Sequence, residues 1–443
     1  MTTTPLSRRG FLGAATVGAV LLGSSPAFGS SATGAFGPAG RTVVLRARPS
    51  AESERLRLQQ ALGTTNFRPT GLYLPAAAEL TVEVDAKDGL LPTLHVGAPD
   101  THADVTYKNP RAYPLTSGVN TVTDPGGGMV YLSLIGSSTE DRRKAKVKFV
   151  QGGTPAPTFV MGETTEQAFQ SQLDTLTAAP QVELVSPYGI VTVTRDGMLA
   201  WRDQDHHGLL TLLETIVSSH AAISGLAERE RSPLPFHLVE APRMPTGAGA
   251  YATHGWTAYP RTYLDRLLTV EGLRTRGWGV YHELGHQHQQ MAYKPTDLTE
   301  VTVNIYALAA QRTLGQPSNL TKPDAKTGLT PYQSALPKLP SSGYVKGFGA
   351  YEKLVPFRQL ELAYGDDFWP RLHRLVRSER PASEWTETDK RWGYLALYTS
   401  RTAGRDLSGF WTRWGAPVTA EYLAQVAALG LPAPDVDPST LAE

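Results

Sequence analysis

The sequence contains no cysteine in 443 residues. That absence excludes disulfides, thiolate metal sites, iron–sulfur clusters and a cysteine nucleophile together, so any metal must be held by histidine and carboxylate. An excess of charge of one sign is missing as well: 42 basic side chains stand against 41 acidic ones, a net of +1. No global field is left for gripping nucleic acid, and a nucleic-acid partner is not expected. Beyond the N-terminus there is no apolar run of membrane length, so no integral membrane segment is expected. What is present, 41% hydrophobic residues, is enough for real cores and argues against wholesale disorder, while the length points to about three domains.

The first residues carry their own pattern. Ser7-Arg8-Arg9-Gly10-Phe11-Leu12 is followed by an apolar, Gly/Ala-rich stretch to Gly23 and by small residues at Ala27 and Gly29. A basic pair, a short hydrophobic segment and a small-residue cleavage site make an export signal over residues 1–29, too short and glycine-rich to span a bilayer stably. The paired arginines resemble the twin-arginine class, which carries folded proteins, and predict a secreted or extracytoplasmic location. Residues 30–40 read as a linker.

From 41 to 152, short runs rich in branched and aromatic residues predict strands at Thr42–Leu45, Leu80–Val84, Met129–Leu134 and Ala145–Val150, with one helix from Ala51 to Leu62. That pattern favours a β-sandwich-like module. A second region, 153–318, opens with helical spacing after Thr165, continues with strands near Val182–Val185 and Ile190–Val193, and turns helical from His206. Residues 319–443 read as a helical C-terminal subdomain. The expected fold class is therefore α+β.

The chemistry concentrates in Trp278-Gly279-Val280-Tyr281-His282-Glu283-Leu284-Gly285-His286. On a helix, His282 and His286 lie one turn apart on one face and can reach one metal, with Glu283 beside it near a metal-bound water. About 0.01 chance matches to H-E-x-x-H are expected in a chain of this composition. A metzincin would need Gly and His where Gln289 and Ala292 stand, so that class is excluded. His288 lies roughly 200° around the helix from His286, cannot share that metal, and is read as a surface residue in preference to one supporting the ligands. Downstream, Thr296 to Leu308 predicts a second helix with Glu300 and Asn304 on one face. Glu300 is the candidate third ligand; Asp297 and Glu300 also spell a capping box, but the site otherwise lacks a nearby candidate.

The same residues carry a resemblance. Trp278-Gly279-x-x-His282-Glu283-Leu284-Gly285-His286 followed by Glu300-Val301-Thr302-Val303-Asn304 resembles the enhancin-like, mucin-degrading family of gluzincin metallopeptidases. Pro69-Thr70-Gly71-Leu72-Tyr73 and Gly404-Arg405-Asp406-Leu407-Ser408 extend the likeness from about residue 60 to 420. The resemblance implies a gluzincin catalytic domain, one Zn2+ per chain on His282, His286 and Glu300, and Glu283 as general base in peptide-bond hydrolysis. It also implies a glycoprotein or mucin substrate, cut beside O-glycosylated Ser or Thr. Asn304 is a candidate to orient Glu300. The segment with His254, Trp256 and Tyr259 resembles the family's cleft-side region, and the two aromatics are candidate sugar or peptide contacts. Tyr281, Tyr344 and Tyr351 are candidates for the oxyanion partner. His206, His207 and His220 show no ligand spacing and are read as structural or exposed. Two alternatives stay open: a carbohydrate- or mucin-binding protein with a vestigial zinc site, and a zinc hydrolase of another amide bond.

Overall fold

The computed structural model describes residues 40–341, 343–382 and 386–443. The expected export signal and all but the last residue of the linker lie outside them. The first module is built from β1 (Thr42–Arg46), β2 (Arg68–Leu74), β3 (Glu79–Asp85), β4 (Thr93–Val96), β5 (Arg111–Pro114), β6 (Gly118–Thr123), β7 (Gly128–Ser133), β8 (Lys144–Gln151) and β9 (Thr154–Pro155). They form two sheets, β1-β8-β3-β6 and β5-β4-β7-β2-β9. The sequence dictates which face of each turns inward: in β8, Ala145, Val147 and Phe149 are buried while Lys144, Lys146 and Lys148 face solvent. Leu80, Val82 and Val84 of β3 join them in one core with Leu94, Val130 and Leu132 of the other sheet. The sandwich extends past the expected limit at 152, because Thr154 and Pro155 pair with β2.

The early helix covers only Ala51–Leu58 rather than reaching Leu62. Ser50 caps it by accepting from Ser53 N, and Gln59 ends it in the left-handed conformation. The released segment from Gln59 to Gly63 runs against the exit of the helix Trp278–His286. Ala61 N donates to Gln289 O (2.7 Å), Met291 N to Gln59 O (3.2 Å), and the Gln287 amide to Gly63 O (3.1 Å). The N-terminal module therefore holds the end of the motif helix through its own backbone.

A third sheet, ordered β10-β11-β12-β13-β15-β14, follows from β10 (Thr158–Val160), β11 (Gln181–Val185), β12 (Gly189–Thr194), β13 (Phe236–Glu240), β14 (Tyr251–Thr253) and β15 (Trp256–Tyr259). β13 is buried along its whole length, as expected for an inner strand of a mixed sheet covered on both faces. The helix His206–Ile223 covers one face with Leu209, Leu210, Leu213, Ile216 and Val217. β14 is the outermost strand, and the motif helix packs beside it.

The C-terminal part is helical: Val355–Tyr364, Phe368–Glu379, Thr388–Ala403, Ser408–Trp414 and Ala420–Ala427. Trp369, Trp392, Trp411 and Trp414 are buried at its centre, together with Val301 and Ile305 from the segment that carries Glu300. Among the described residues, no helix is long and apolar enough to cross a membrane.

Sandwich and central sheet meet through a polar contact. Tyr131 of β7 donates to Glu183 of β11 (2.5 Å), Thr192 of β12 donates to the same oxygen (3.0 Å), and His237 of β13 contacts Thr192 Oγ1 (2.8 Å). Burial pushes the Glu183 carboxyl up to about 7 from 4.5, although the hydrogen bonds from Tyr131 and Thr192 favour its charged form. The folded chain thus keeps a proton that the unfolded chain releases between about pH 4.5 and 7. Stability from this group is fully present below that window and lost as pH rises through it, by roughly 3 kcal/mol. Glu183→Gln is expected to flatten the dependence: urea unfolding at pH 5 and pH 7.5 should show a larger fall for the parent than for the variant. Equal falls would refute the assignment.

Candidate metal centre

The motif helix spans Trp278–His286 and buries Val280, Tyr281 and Leu284 on one flank, which leaves His282 and His286 together on another. Gly285 lets it approach its neighbour closely. A Cβ there would lie 3.0 Å from Val303 Cγ2 and 3.1 Å from the Val303 carbonyl oxygen. The expected second helix starts later: a tight turn at Thr296–Leu298 leads into helical segments Thr299–Thr302 and Asn304–Thr313, and Val303 between them keeps helical dihedrals (φ −59°, ψ −32°). The anticipated capping box does not form. Pro295 and Leu298 occupy the cap positions without a side-chain cap, and Glu300 turns to the histidines instead.

Glu300 Oε2 lies 3.0 Å from His282 Nε2 and 3.4 Å from His286 Nε2, and one ligand atom from each residue falls within 4.8 Å of the others. Tetrahedral zinc with bonds of about 2.0–2.1 Å separates its ligands by about 3.3 Å, which the two separations from Glu300 match and from which the two imidazoles, within 4.8 Å of each other, depart by no more than about 1.5 Å. The far side of each imidazole is also prepared. Asn304 donates its amide to the Glu300 carbonyl (2.9 Å), which turns Oδ1 onto His282 Nδ1 (2.7 Å). Gln289 donates to Thr299 O (2.7 Å) and Thr302 Oγ1 (2.8 Å), which turns Oε1 onto His286 Nδ1 (2.7 Å). Facing amide oxygens, both Nδ1 atoms carry protons, so each Nε2 that gives up its hydrogen bond to Glu300 would turn a lone pair to a metal at the same point.

The electrostatics separate the two carboxylates. Hydrogen bonds to His282 and His286 hold Glu300 well below the usual carboxylate range, although its side chain is 70% exposed. Burial raises Glu283, against the lowering influence of His282 and His286. Burial lowers the His282 imidazole, but its contacts with Glu300, Glu283 and Asn304 outweigh burial and raise it.

Other expected site residues fall elsewhere. Asn304 orients His282 through its side chain and touches Glu300 only at the backbone. His288 is not at the surface: it is 5% exposed and stacks on Phe236, because the chain leaves the helix after His286 and the angle extrapolated along a continuing helix no longer applies. Tyr259 is fully buried and offers no ring face to a sugar. Trp256 is half-buried with its indole nitrogen turned inward, and His254 sits exposed at the β14–β15 turn, where its Nδ1 accepts from Gly63 N (3.3 Å). Tyr281 donates to Leu273 O (2.5 Å) and Tyr344 to Lys353 O, so both phenols are spent on backbone carbonyls. Tyr351 is 40% exposed. Sequence reasoning missed the role of Gln289, whose position three residues after His286 was the available signal, and the Gln59–Gly63 strap, which had none.

Comparison with known proteins covers most of the described chain. A model of the N-terminal domain of M60-like peptidases matches residues 49–148. TRPM8 channel-associated factor 3 of Rattus norvegicus is 25% identical over 384 residues, covering 81% of this chain and 39% of that protein. The chain thus spans about two fifths of the length of the curated relatives it matches most extensively. The crystal structure of a functionally unknown conserved protein from Bacillus anthracis str. Ames superposes with a TM-score of 0.80 at 28% identity, covering 91% of this chain and 82% of that one. The M60 catalytic domain of Clostridium perfringens ZmpC, in complex with the sialyl T antigen, shares the fold with a TM-score of 0.73 at 18% identity, covering 90% and 82%. The model for Peptidase M60, enhancin and enhancin-like, matches residues 152–415, well over half of the chain, and with the His-Glu-x-x-His helix and its second carboxylate inside that span, the chain belongs to the M60 peptidase family.

Proposed function

We propose that this chain is an exported zinc-dependent endopeptidase that hydrolyses peptide bonds in mucin-type O-glycosylated proteins. The observation that carries the reading is the convergence of His282 Nε2, His286 Nε2 and Glu300 Oε2 on one point beside the buried Glu283, in a chain of a peptidase family. Zinc bound there would polarise the scissile carbonyl and lower the pKa of a water. Glu283 takes the proton from the attacking water and passes it to the leaving amine; burial raises its pKa toward the range where a general base works well near neutrality. β14, bonded to the sheet on one side only and packed beside the motif helix, offers an edge along which an extended peptide can pair.

The glycoprotein substrate is supported by the fold shared with ZmpC, a protein described with a sialyl T antigen bound. Export is supported by Arg8-Arg9 ahead of the apolar stretch and the small residues at 27 and 29. Binding without cleavage is the competing reading, favoured by relatives described only as channel-associated factors. Against it, two locked imidazoles and a base are kept that mere binding would not need. Incubation with an O-glycosylated protein, with and without prior glycan removal and with and without chelator, separates the readings by the termini found in mass spectrometry. Cleavage beside sugars that stops on deglycosylation and on chelation is expected; binding with no cleavage by the zinc-loaded protein would overturn the proposal.

Two substitutions test the roles. Glu283→Gln should retain one zinc per chain by elemental analysis while turnover falls by about 10²- to 10⁴-fold; unchanged turnover would remove Glu283 from the mechanism. Asn304→Ala, which strips His282 Nδ1 of its acceptor, should weaken zinc affinity by about 10- to 100-fold in a chelator competition. Unaltered affinity would reduce Asn304 to a structural amide.

A further inference from the structure

β14 is tied to the exit of the motif helix by one side chain. Gln287 follows His286 directly and is fully buried. Its amide nitrogen donates to Thr253 O at the end of β14 (3.2 Å) and to Gly63 O in the strap from the N-terminal module (3.1 Å), so both of its protons are committed. Gly63 closes the junction. Its carbonyl also accepts from Gly255 N (2.9 Å), and its own N–H donates to His254 Nδ1 (3.3 Å), both in the turn between β14 and β15. A Cβ on Gly63 would lie 3.3 Å from Ala51 O, so the strap passes this point close against the early helix.

The other end of the strand is held by the same module. Tyr251 begins β14, and the Lys108 ammonium lies 5.4 Å from the centre of its ring. Lys108 is itself fixed twice by Asp100: its ammonium stands 3.6 Å from the carboxylate, and its carbonyl accepts from Asp100 N (2.7 Å). The outermost strand of the central sheet thus takes its place from the sandwich at one end, and from the sandwich and the neighbour of a metal ligand at the other. Sealed from solvent, the Gln287 side chain cannot touch substrate. Nor does it orient a histidine, because the two Nδ1 atoms face Asn304 and Gln289. What it does control is the offset between β14 and His286.

We propose that Gln287, with Lys108 at the opposite end of the strand, positions the peptide substrate: together they fix β14 against the metal ligands and so decide which peptide bond of a chain paired along that strand meets the metal. Successive residues of an extended peptide stand about 3.3 Å apart. A shift of β14 by a fraction of that spacing carries the scissile carbonyl away from the attacking water and lets neighbouring bonds compete for the same place. The metal ligands keep their own supports throughout, since Asn304 and Gln289 hold the histidines independently of β14. The inference rests on the peptidase reading, in which an extended peptide pairs along β14, and adds the residues that set its register. It gives the N-terminal module a part in catalysis without any contact to substrate.

Gln287→Met keeps the length of the side chain and removes both donors. Zinc-loaded full-length parent and variant are compared on a synthetic mucin-type peptide carrying one Thr-linked sialyl T antigen, with product termini read by mass spectrometry and zinc affinity by chelator competition. The variant should lose about five- to tenfold in kcat/KM and spread its cuts from the parent's bond to neighbouring ones, while zinc affinity stays within about twofold of the parent. Lys108→Met, at a half-buried position away from the junction, should spread the cuts in the same way but less, and it decides the matter if Gln287→Met does not fold. Parent-like cut sites in the folded variants would overturn the proposal, whatever happens to the rate or to urea stability, because a merely structural amide can lower both without moving the cut. Zinc affinity that falls in step with activity would make Gln287 a support for His286 and also overturn it. In each of these cases a parent that cuts the peptide leaves the peptidase reading standing. A parent that cuts no peptide would sink that reading, and the inference with it.

Discussion

Two imidazoles can offer lone pairs to one point only if their other nitrogens are committed as donors, and the rest of the site depends on this constraint. A neutral histidine exchanges tautomers freely in water; here the choice is made by two amide oxygens, each turned toward its histidine because its own amide nitrogen is spent on neighbouring backbone or hydroxyl acceptors. Both amides work across the seam between the motif helix and the 299–313 segment. Asn304 reaches from the segment to the helix, and Gln289 reaches from the helix exit to the segment. The seam must therefore be tight, and Gly285 allows it, since any side chain at that position would press on Val303. The glycine in the motif is thus a packing requirement that serves the chemistry at one remove.

The same logic explains why the site draws on all three parts of the chain. The backbone from Gln59 to Gly63 fixes the turn after His286, where Gln289 must point inward. The tryptophan-rich C-terminal core buries Val301 and Ile305, which flank the segment presenting Glu300 and Asn304. Neither contact touches a ligand atom. Both determine whether the ligand atoms meet, and an isolated 153–318 segment would lack the backing for each.

How much of this was legible in the sequence follows from the range of the interactions. His282, Glu283 and His286 were readable because helical periodicity alone puts them together. The strands with alternating side chains, such as Leu80-Thr81-Val82-Glu83-Val84, were readable for the same local reason. Failures came where the chain departs from regular geometry. His288 was placed at the surface by extending a helix that in fact ends at His286, and the downstream helix was started at Thr296, where the chain first makes a tight turn. The burial of Tyr259 in the core of the central sheet, and the strap from Gln59, depend on contacts between residues far apart in sequence, and no local pattern encodes them.

The two carboxylates of the site illustrate how placement, rather than residue type, assigns a role. Glu283 is carried by the motif helix into a buried position, where desolvation makes its proton easier to keep. Glu300 arrives from a different element and meets both imidazoles edge-on, so its charged form is favoured even though most of its side chain faces solvent. One acid is thereby poised to exchange a proton and the other to stay charged, a separation of environments that sorts acid–base groups from ligands in many hydrolytic sites. The capping-box spelling around Asp297 and Glu300 would have spent the second carboxylate on a helix end. The tight turn at Thr296–Leu298 supplies that helix start without it, and so releases Glu300 for the histidines.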